Sequence, residues 1–284
     1  MPSGNTPTVR QRRIGAALRN AREGHNLTVT AVAGRFGRSQ GWMSMVENGL
    51  LPIAAEELST LLDFYGIPDG PLRTSLLHLA THRPGTWERV WEGRISAAAL
   101  DLASLESDAA EIRNFESNVV PGLLQTPQYT RALIALGPAK HSRYVKPLVD
   151  FRQSRQRVLR RPDPPQYVPI IAEAVLHNQV GDHPAIMRDQ IQRLTQAARL
   201  DHVDLRVLPR KASGYLSLIT PCVLISLRPP GQLTVSVGDQ FTKSVFVEDE
   251  EEVASHEEIF ELLLSVTLSR AASLNLIDGI ASQL

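Results

Sequence analysis

The sequence predicts an α+β protein: a small all-α, five-helix domain followed by a larger α+β domain with a mainly antiparallel sheet. Three observations carry this expectation. Residues 10–80 hold short apolar stripes at helical spacing, parted by glycines and prolines. Strand-like runs rich in Val, Ile and Leu come only in the second half, after a series of helices, and not in strict strand–helix alternation. A chain of 284 residues accommodates two domains at roughly 100–200 residues each.

Residues 1–9, rich in Pro, Ser, Thr and Gly, read as a disordered tail. Ile14, Ala17, Leu18 and Ala21 then share one helical face. Val32, Ala33 and Phe36 repeat the stripe, followed by Met43 with Val46, and by Leu58, Leu61, Leu62 and Tyr65. Gly24, Gly37, Gly49 with Pro52, and Gly66 with Pro68 separate these runs. Helices this short cannot bury their stripes alone, so they pack together as one domain over 10–80. "THRPGTW" at 81–87 marks a boundary, and residues 85–284 form the second domain. A long helix is expected from Trp87 to Phe115, ended by "VVPGLLQTPQY". There Thr126 caps a new helix with Pro127 at its first position, where the missing N–H costs nothing. A basic helix over 141–161 follows, then the strands "YVPIIA", "VDLRVL", "CVLISL", "LTVSV" and "SVFVE". A helix over 184–200 sits among them, and a last helix spans 253–270.

The composition, 43% hydrophobic and 21% charged, is that of an ordinary globular chain. No run of eighteen apolar residues offers a membrane span, and "MPSGNTPTVR" lacks the apolar core of a secretory signal. Cys222 stands alone, which fits a reducing cytoplasm. The net charge is zero, but its distribution is uneven. Residues 1–50 carry seven arginines against Glu23 and Glu47. Residues 138–161 carry eight basic groups against Asp150, and residues 245–284 carry nine acids against Arg270. Opposed blocks on a neutral chain point to separate surfaces with separate partners, or to solvated helix faces.

"RFGRSQGWMSMVENG" at 35–49 places Gly41 inside a helix, where glycine costs about 0.5–1 kcal/mol against alanine. The surrounding spacing explains it. Thr28 caps one helix and Ser39 the next, Ala33 is small enough for close approach, and Gly37 makes the turn. Met43 and Val46 seat the second helix on the first, which turns Gln40, Gly41, Ser44 and Met45 outward. A face of polar and small residues is built to enter a groove. Glutamine at position 40 has the donor and acceptor to bond the N6/N7 edge of adenine, and Gly41 allows close backbone approach. Trp42 has two readings: against a sugar-phosphate backbone or thymine methyl, or over Leu50 and Leu51 of its own domain.

"LTVTAVAGRFGRSQGWMSMVENG" resembles the helix-turn-helix of the Xre/lambda-repressor type. That resemblance implies reading of the DNA major groove by the second helix, as a dimer on a near-palindromic site. It places base-reading positions at Gln40, Gly41 and Met45, and backbone contacts at Arg38, Ser39 and Asn48. It also implies an ion pair between Arg22 and Glu47. The sequence departs from the family at Met45, where arginine or glutamine is common, at Leu50 and Leu51, where a basic residue is common, and at Val29.

The remainder is similar to the C-terminal domain of unknown function found behind Xre-type regulators of filamentous, antibiotic-producing bacteria. The matching stretches are "VVPGLLQTPQY", "FRQSRQRVL", "AEAVLHNQVGDHPAIMRDQIQRL", "LRVLP" and "VFVE". The resemblance implies a transcriptional regulator with a small protein partner for this domain. Gln125 and Tyr129 could line a pocket or partner groove, while Leu123 and Leu124 fill the core. Arg152 and Arg155 share a helix face and could dock on the acidic 248–261 segment or on a partner; Arg157 is turned away.

No catalytic constellation emerges. His177 and His183 lack a third zinc ligand, "HLATH" lacks the glutamate of HExxH, and Cys222 lies in an apolar run. The expectation is therefore a cytoplasmic, sequence-specific regulator of double-stranded DNA, homodimeric, with no cofactor, metal or enzymatic activity. Its second domain binds a small protein or effector. The other reading is an antitoxin-like or scaffold module whose helix-turn-helix serves assembly.

Overall fold

The computed structural model describes residues 6–83, 85–137, 145–239 and 244–284. Part of the expected tail, residues 1–5, and the first part of the basic stretch, 138–144, lie outside the described residues. The chain divides into two compact units: residues 1–90 together with 228–233, and residues 91–227 together with 234–284.

In the first unit, local capping chemistry starts the helices. Thr8 Oγ1 accepts from the Gln11 backbone N–H at 3.3 Å, and Gln11 Oε1 accepts from the Thr8 N–H at 2.8 Å. This capping box opens α1 (Val9–Gly24) and moves the expected start of order upstream, since Val9 is fully buried. Then follow α2 (Val29–Arg35), α3 (Gln40–Glu47), α4 (Ala55–Phe64) and α5 (Pro71–Thr81), with the short α6 (Thr86–Arg89) beyond them. The stripes converge: Ile14, Leu18, Val32, Ala33, Met43, Val46, Leu58, Leu61, Leu62 and Leu76 are all buried. Helix α1 packs on α3 and α5, α2 on α3, and α4 on α5. The loop 228–233 completes this unit, with Ser75 Oγ donating to the Gly231 carbonyl at 2.8 Å in a buried position.

The second unit opens with α7 (Ala97–Ser107) and then β1 (Ala109–Glu116), so the expected helix over 87–115 is instead three elements, the short α6, α7 and a strand. The remaining strands are β2 (Gln166–Ala172), β3 (Arg206–Leu208), β4 (Cys222–Leu227), β5 (Thr234–Asp239) and β6 (Ser244–Val247). They form one sheet of order β3-β2-β1-β4-β5-β6. β1 runs parallel to β2, and β2 to β3, while β4, β5 and β6 continue from β1 as antiparallel neighbours. The sheet is therefore mixed. A parallel half exists because β1 precedes the helices α8 (Pro127–Leu136) and α9 (Val145–Arg155), and a parallel pair needs such a crossover. Then come α10 (Glu173–His177), α11 (Pro184–Ala198), α12 (Glu250–Val266) and α13 (Arg270–Ala281). The expected last helix over 253–270 is α12, which ends at Val266; a further helix, α13, follows it, and Ser269 caps α13 by accepting from Ala272 N–H.

Alternation along β1 divides the core. Phe115 joins Ile170, Leu208, Cys222, Leu224, Phe260 and Leu263 in one buried cluster, with Phe260 and Leu263 supplied by α12. Arg113, two residues earlier on the same face, meets α12 at Glu257 and Glu261. On the other face, Asn114 Nδ2 donates to the Cys222 carbonyl at 3.1 Å, and Tyr167 Oη donates to Asn114 Oδ1 at 3.3 Å. Among the described residues no single helix is long and apolar enough to cross a membrane.

Candidate nucleic-acid interface

Helices α2 and α3 form a helix-turn-helix in which each start is held by a hydroxyl. Thr28 Oγ1 accepts from Ala31 N–H and Ser39 Oγ from Trp42 N–H, both at 3.1 Å. Between them Gly37 has φ +63°, a left-handed conformation that glycine adopts without steric cost, and Arg38 N–H reaches back to the Ala33 carbonyl at 2.9 Å. Met43 and Val46 are buried, as is Ala33 opposite them.

The close approach of α1 fixes α3 from behind. A Cβ at Gly15 would lie 2.6 Å from the Glu47 carbonyl oxygen and 2.7 Å from that of Val46. Only glycine lets these backbones meet. Arg22 closes the contact with hydrogen bonds from Nε to Glu47 Oε1 at 2.7 Å and from Nη2 to Oε2 at 3.0 Å. Its remaining guanidinium nitrogen, Nη1, donates to the Leu27 carbonyl at 2.9 Å. The Glu47 hydrogen bond, with its charge, holds the Arg22 guanidinium above its ordinary pKa despite burial.

At about 100° per residue, Gln40, Ser44, Asn48, Gly41 and Met45 occupy one arc of α3, and Met43, Val46 and Glu47 the opposite one. Gln40, Gly41, Met45 and Asn48 are exposed and Ser44 half-buried. Trp42 lies at the edge between the arcs and is half-buried. The Arg38 guanidinium sits over its ring, 5.1 Å from the centroid.

The residues expected at phosphates are differently engaged. Ser39 caps its own helix. Arg38 forms an ion pair with Glu57 of α4. Asn48 accepts from Arg19 Nη2 at 2.6 Å and donates to the Ser44 carbonyl at 2.7 Å, so it caps α3 and ties it to α1. Arg35, in the last turn of α2, is exposed and has no side-chain hydrogen bond or ion pair among the described residues. In the sequence Arg35 is one of the seven arginines of residues 1–50, and nothing in its pairing marks it as part of the site. Its signal was position: a basic residue just before the turn that leads into α3. The partners Glu57 and Arg19 left no comparable local signal.

The second unit corrects the surface expected around Gln125. Gln125 is 2% exposed and Tyr129 fully buried. Gln125 Nε2 donates to the Val120 carbonyl at 2.6 Å, and its Oε1 accepts from Arg152 at 2.7 Å and Thr130 at 3.1 Å. Tyr129 Oη accepts from Val120 N–H at 3.2 Å, and burial pushes its phenol above the usual pKa. These groups close the 120–130 turn upon itself, so Gln125 and Tyr129 present nothing to a partner. Arg155 pairs with Glu106 through Nη2–Oε1 at 2.6 Å and Nε–Oε2 at 2.8 Å, both side chains largely buried. The acidic α12 is met by Arg113 instead. Arg155 is thus an internal tie, while the half-buried Arg152 braces Gln125.

Burial pushes the Cys222 thiol up to about 12, which keeps it protonated and unreactive at neutral pH. His183 Nδ1 accepts from Ala185 N–H and so caps α11. No group of three or more metal-ligating side chains occurs among the described residues.

The first unit is a helix-turn-helix domain, and the second a mixed six-stranded α+β unit. The chain belongs to the family described as Domain of unknown function (DUF5753), which matches residues 99–279; a Helix-turn-helix domain matches residues 13–76. No curated protein and no solved structure matches the chain.

Proposed function

We propose that this chain is a sequence-specific DNA-binding transcriptional regulator of the Xre type, acting in the cytoplasm as a homodimer without enzymatic activity. Helix α3 enters the major groove and the second unit takes a small protein partner or effector. One observation carries the DNA reading: one arc of α3 is largely exposed, with the polar or small Gln40, Gly41, Ser44 and Asn48 beside Met45, while its opposite arc is locked onto α1 by Gly15 and the Arg22–Glu47 pair. A rigid helix with one exposed face, flanked by Arg35 and Arg38, suits groove entry. Ser39 caps the helix end that leads, so the N-terminal residues Gln40 and Gly41 meet the bases first.

Selection of bound duplexes from a random pool tests this reading. An enriched motif, with affinity that falls linearly in log salt, is the expected result. Failure to enrich any motif overturns it.

A further inference from the structure

Hydrogen-bonding capacity on the exposed arc of α3 is nearly exhausted internally. Asn48 is held by Arg19 and by Ser44, whose carbonyl accepts from Asn48 Nδ2 at 2.7 Å and whose Oγ lies 3.4 Å from the same nitrogen. Ser39 Oγ is used in the cap, and Gly41 has no side chain. Among the described residues Gln40 is the one polar side chain on this arc that is exposed with no side-chain hydrogen bond. What remains exposed is apolar. Met45 is 43% and Leu50 45% exposed, and Leu50 N–H bonds the Met45 carbonyl at 2.8 Å, so the two stand together at the end of α3. Half-buried Trp42 adjoins Met45 on the helix wheel. Scattered apolar residues on a surface need no explanation. Here they adjoin the polar arc of a helix flanked by Arg35 and Arg38, a charge setting that suits a polyanion and disfavours an apolar protein partner.

Given the DNA reading above, on which this step rests, we infer that Met45 and Leu50 read thymine by packing on its 5-methyl group in the major groove. Gln40 contributes hydrogen bonding to adenine, and the apolar pair contributes a preference for thymine at neighbouring steps. The thymine methyl is the one apolar feature that a base edge offers in the major groove.

The test uses the full chain and the duplex enriched by selection. Each thymine is replaced in turn by uracil, which keeps the pairing and removes only the methyl. Loss of one buried methyl weakens binding about fourfold, so one or two thymines per half-site are expected to give that loss and the rest none. The same substitutions are repeated with Met45→Ala and Leu50→Ala, both at exposed positions. Each variant is expected to bind the thymine duplex as weakly as the uracil duplex. If uracil is tolerated at every position of an enriched site, the inference falls while the DNA reading stands. If uracil matters equally in wild type and in both variants, another side chain reads the methyl and the inference also falls. If the variants change self-association in sedimentation and leave uracil sensitivity intact, the pair covers a second copy of the chain. If no duplex is enriched, the DNA reading itself fails.

Discussion

Arg22 and Glu47 meet through two hydrogen bonds, Nε to Oε1 at 2.7 Å and Nη2 to Oε2 at 3.0 Å, with side chains only 11% and 3% exposed. The pair joins the last turns of α1 and α3. A paired, parallel geometry is the kind that offsets the desolvation of both charges. Removing one partner leaves a buried charge alone, so Arg22→Met or Glu47→Leu alone is expected to cost about 3–5 kcal/mol. The double replacement is expected to recover much of that, because apolar groups of similar volume then fill the site. Urea unfolding of the first unit measures all three. Equal, small losses throughout would mean that the pair does not hold α3.

Four side chains separate reading from clamping. Gln40→Ala is expected to weaken the preferred site by about 1–3 kcal/mol and leave other sequences nearly unchanged. Arg35→Ala is expected to weaken all sequences alike and lower the salt slope by about one, because Arg35 is uncommitted. Arg38→Ala is expected to do the same to a smaller extent, since Arg38 must first leave Glu57. Glu57→Gln releases Arg38 and is expected to tighten binding to every sequence. Titrations at several salt concentrations distinguish these outcomes; identical behaviour of the Gln40 and Arg35 variants would defeat the assignment.

The caps at Thr28, Ser39 and Thr126 were legible in the sequence because each depends on residues within three positions. The outward face of α3 was legible for a similar reason: its periodicity is local. β1 was not. In "AAEIRNFE" the polar Arg113 and Asn114 look like a helix surface, yet they find partners in α12 and β4, far along the chain. The same distance hid the engagement of Arg38 by Glu57 and of Arg155 by Glu106. Gln125 and Tyr129 misled because an amphipathic residue near a turn serves a surface or an internal network equally well, and only burial decides. The break between α12 and α13 has neither glycine nor proline, and Ser269 alone marks it.

Alkaline pH tests the buried acids. Burial pushes the Cys222 thiol from 9.0 up to about 12, with Glu116 adding to the effect. It pushes the Tyr65 phenol from 10.0 up to about 12, with Glu47 adding and Arg22 opposing. The unfolded chain therefore releases these protons well before the folded one. Their contribution is fully present below the unfolded values and is lost as pH climbs through about 9 to about 12. Urea midpoints are expected to fall over that interval. Cys222→Ala is expected to lessen the fall in the second unit, where the buried Tyr129 phenol also contributes, and Tyr65→Phe to lessen it in the first. Rapid reaction of Cys222 with a thiol reagent at neutral pH in the folded protein would contradict its burial.

The loop 228–233 belongs with the helix-turn-helix unit although its sequence lies between two strands of the sheet. Ser75 Oγ of α5 donates to the Gly231 carbonyl at 2.8 Å, and both residues are buried. Ser75→Ala would leave that carbonyl without its partner, a loss of about 1–3 kcal/mol for a buried polar group. The loss depends on Gly231 being present. In the full chain, amide exchange along α5 is expected to speed up in the Ser75→Ala variant. In a fragment of residues 1–90 the acceptor is gone, so the same substitution is expected to change nothing, while wild-type α5 already exchanges faster than in the full chain. A fragment too unstable to fold would be the extreme form of that result. Equal acceleration by Ser75→Ala in fragment and full chain would mean that Ser75 acts only within its own helix, and that 228–233 contributes nothing to the unit's stability through it.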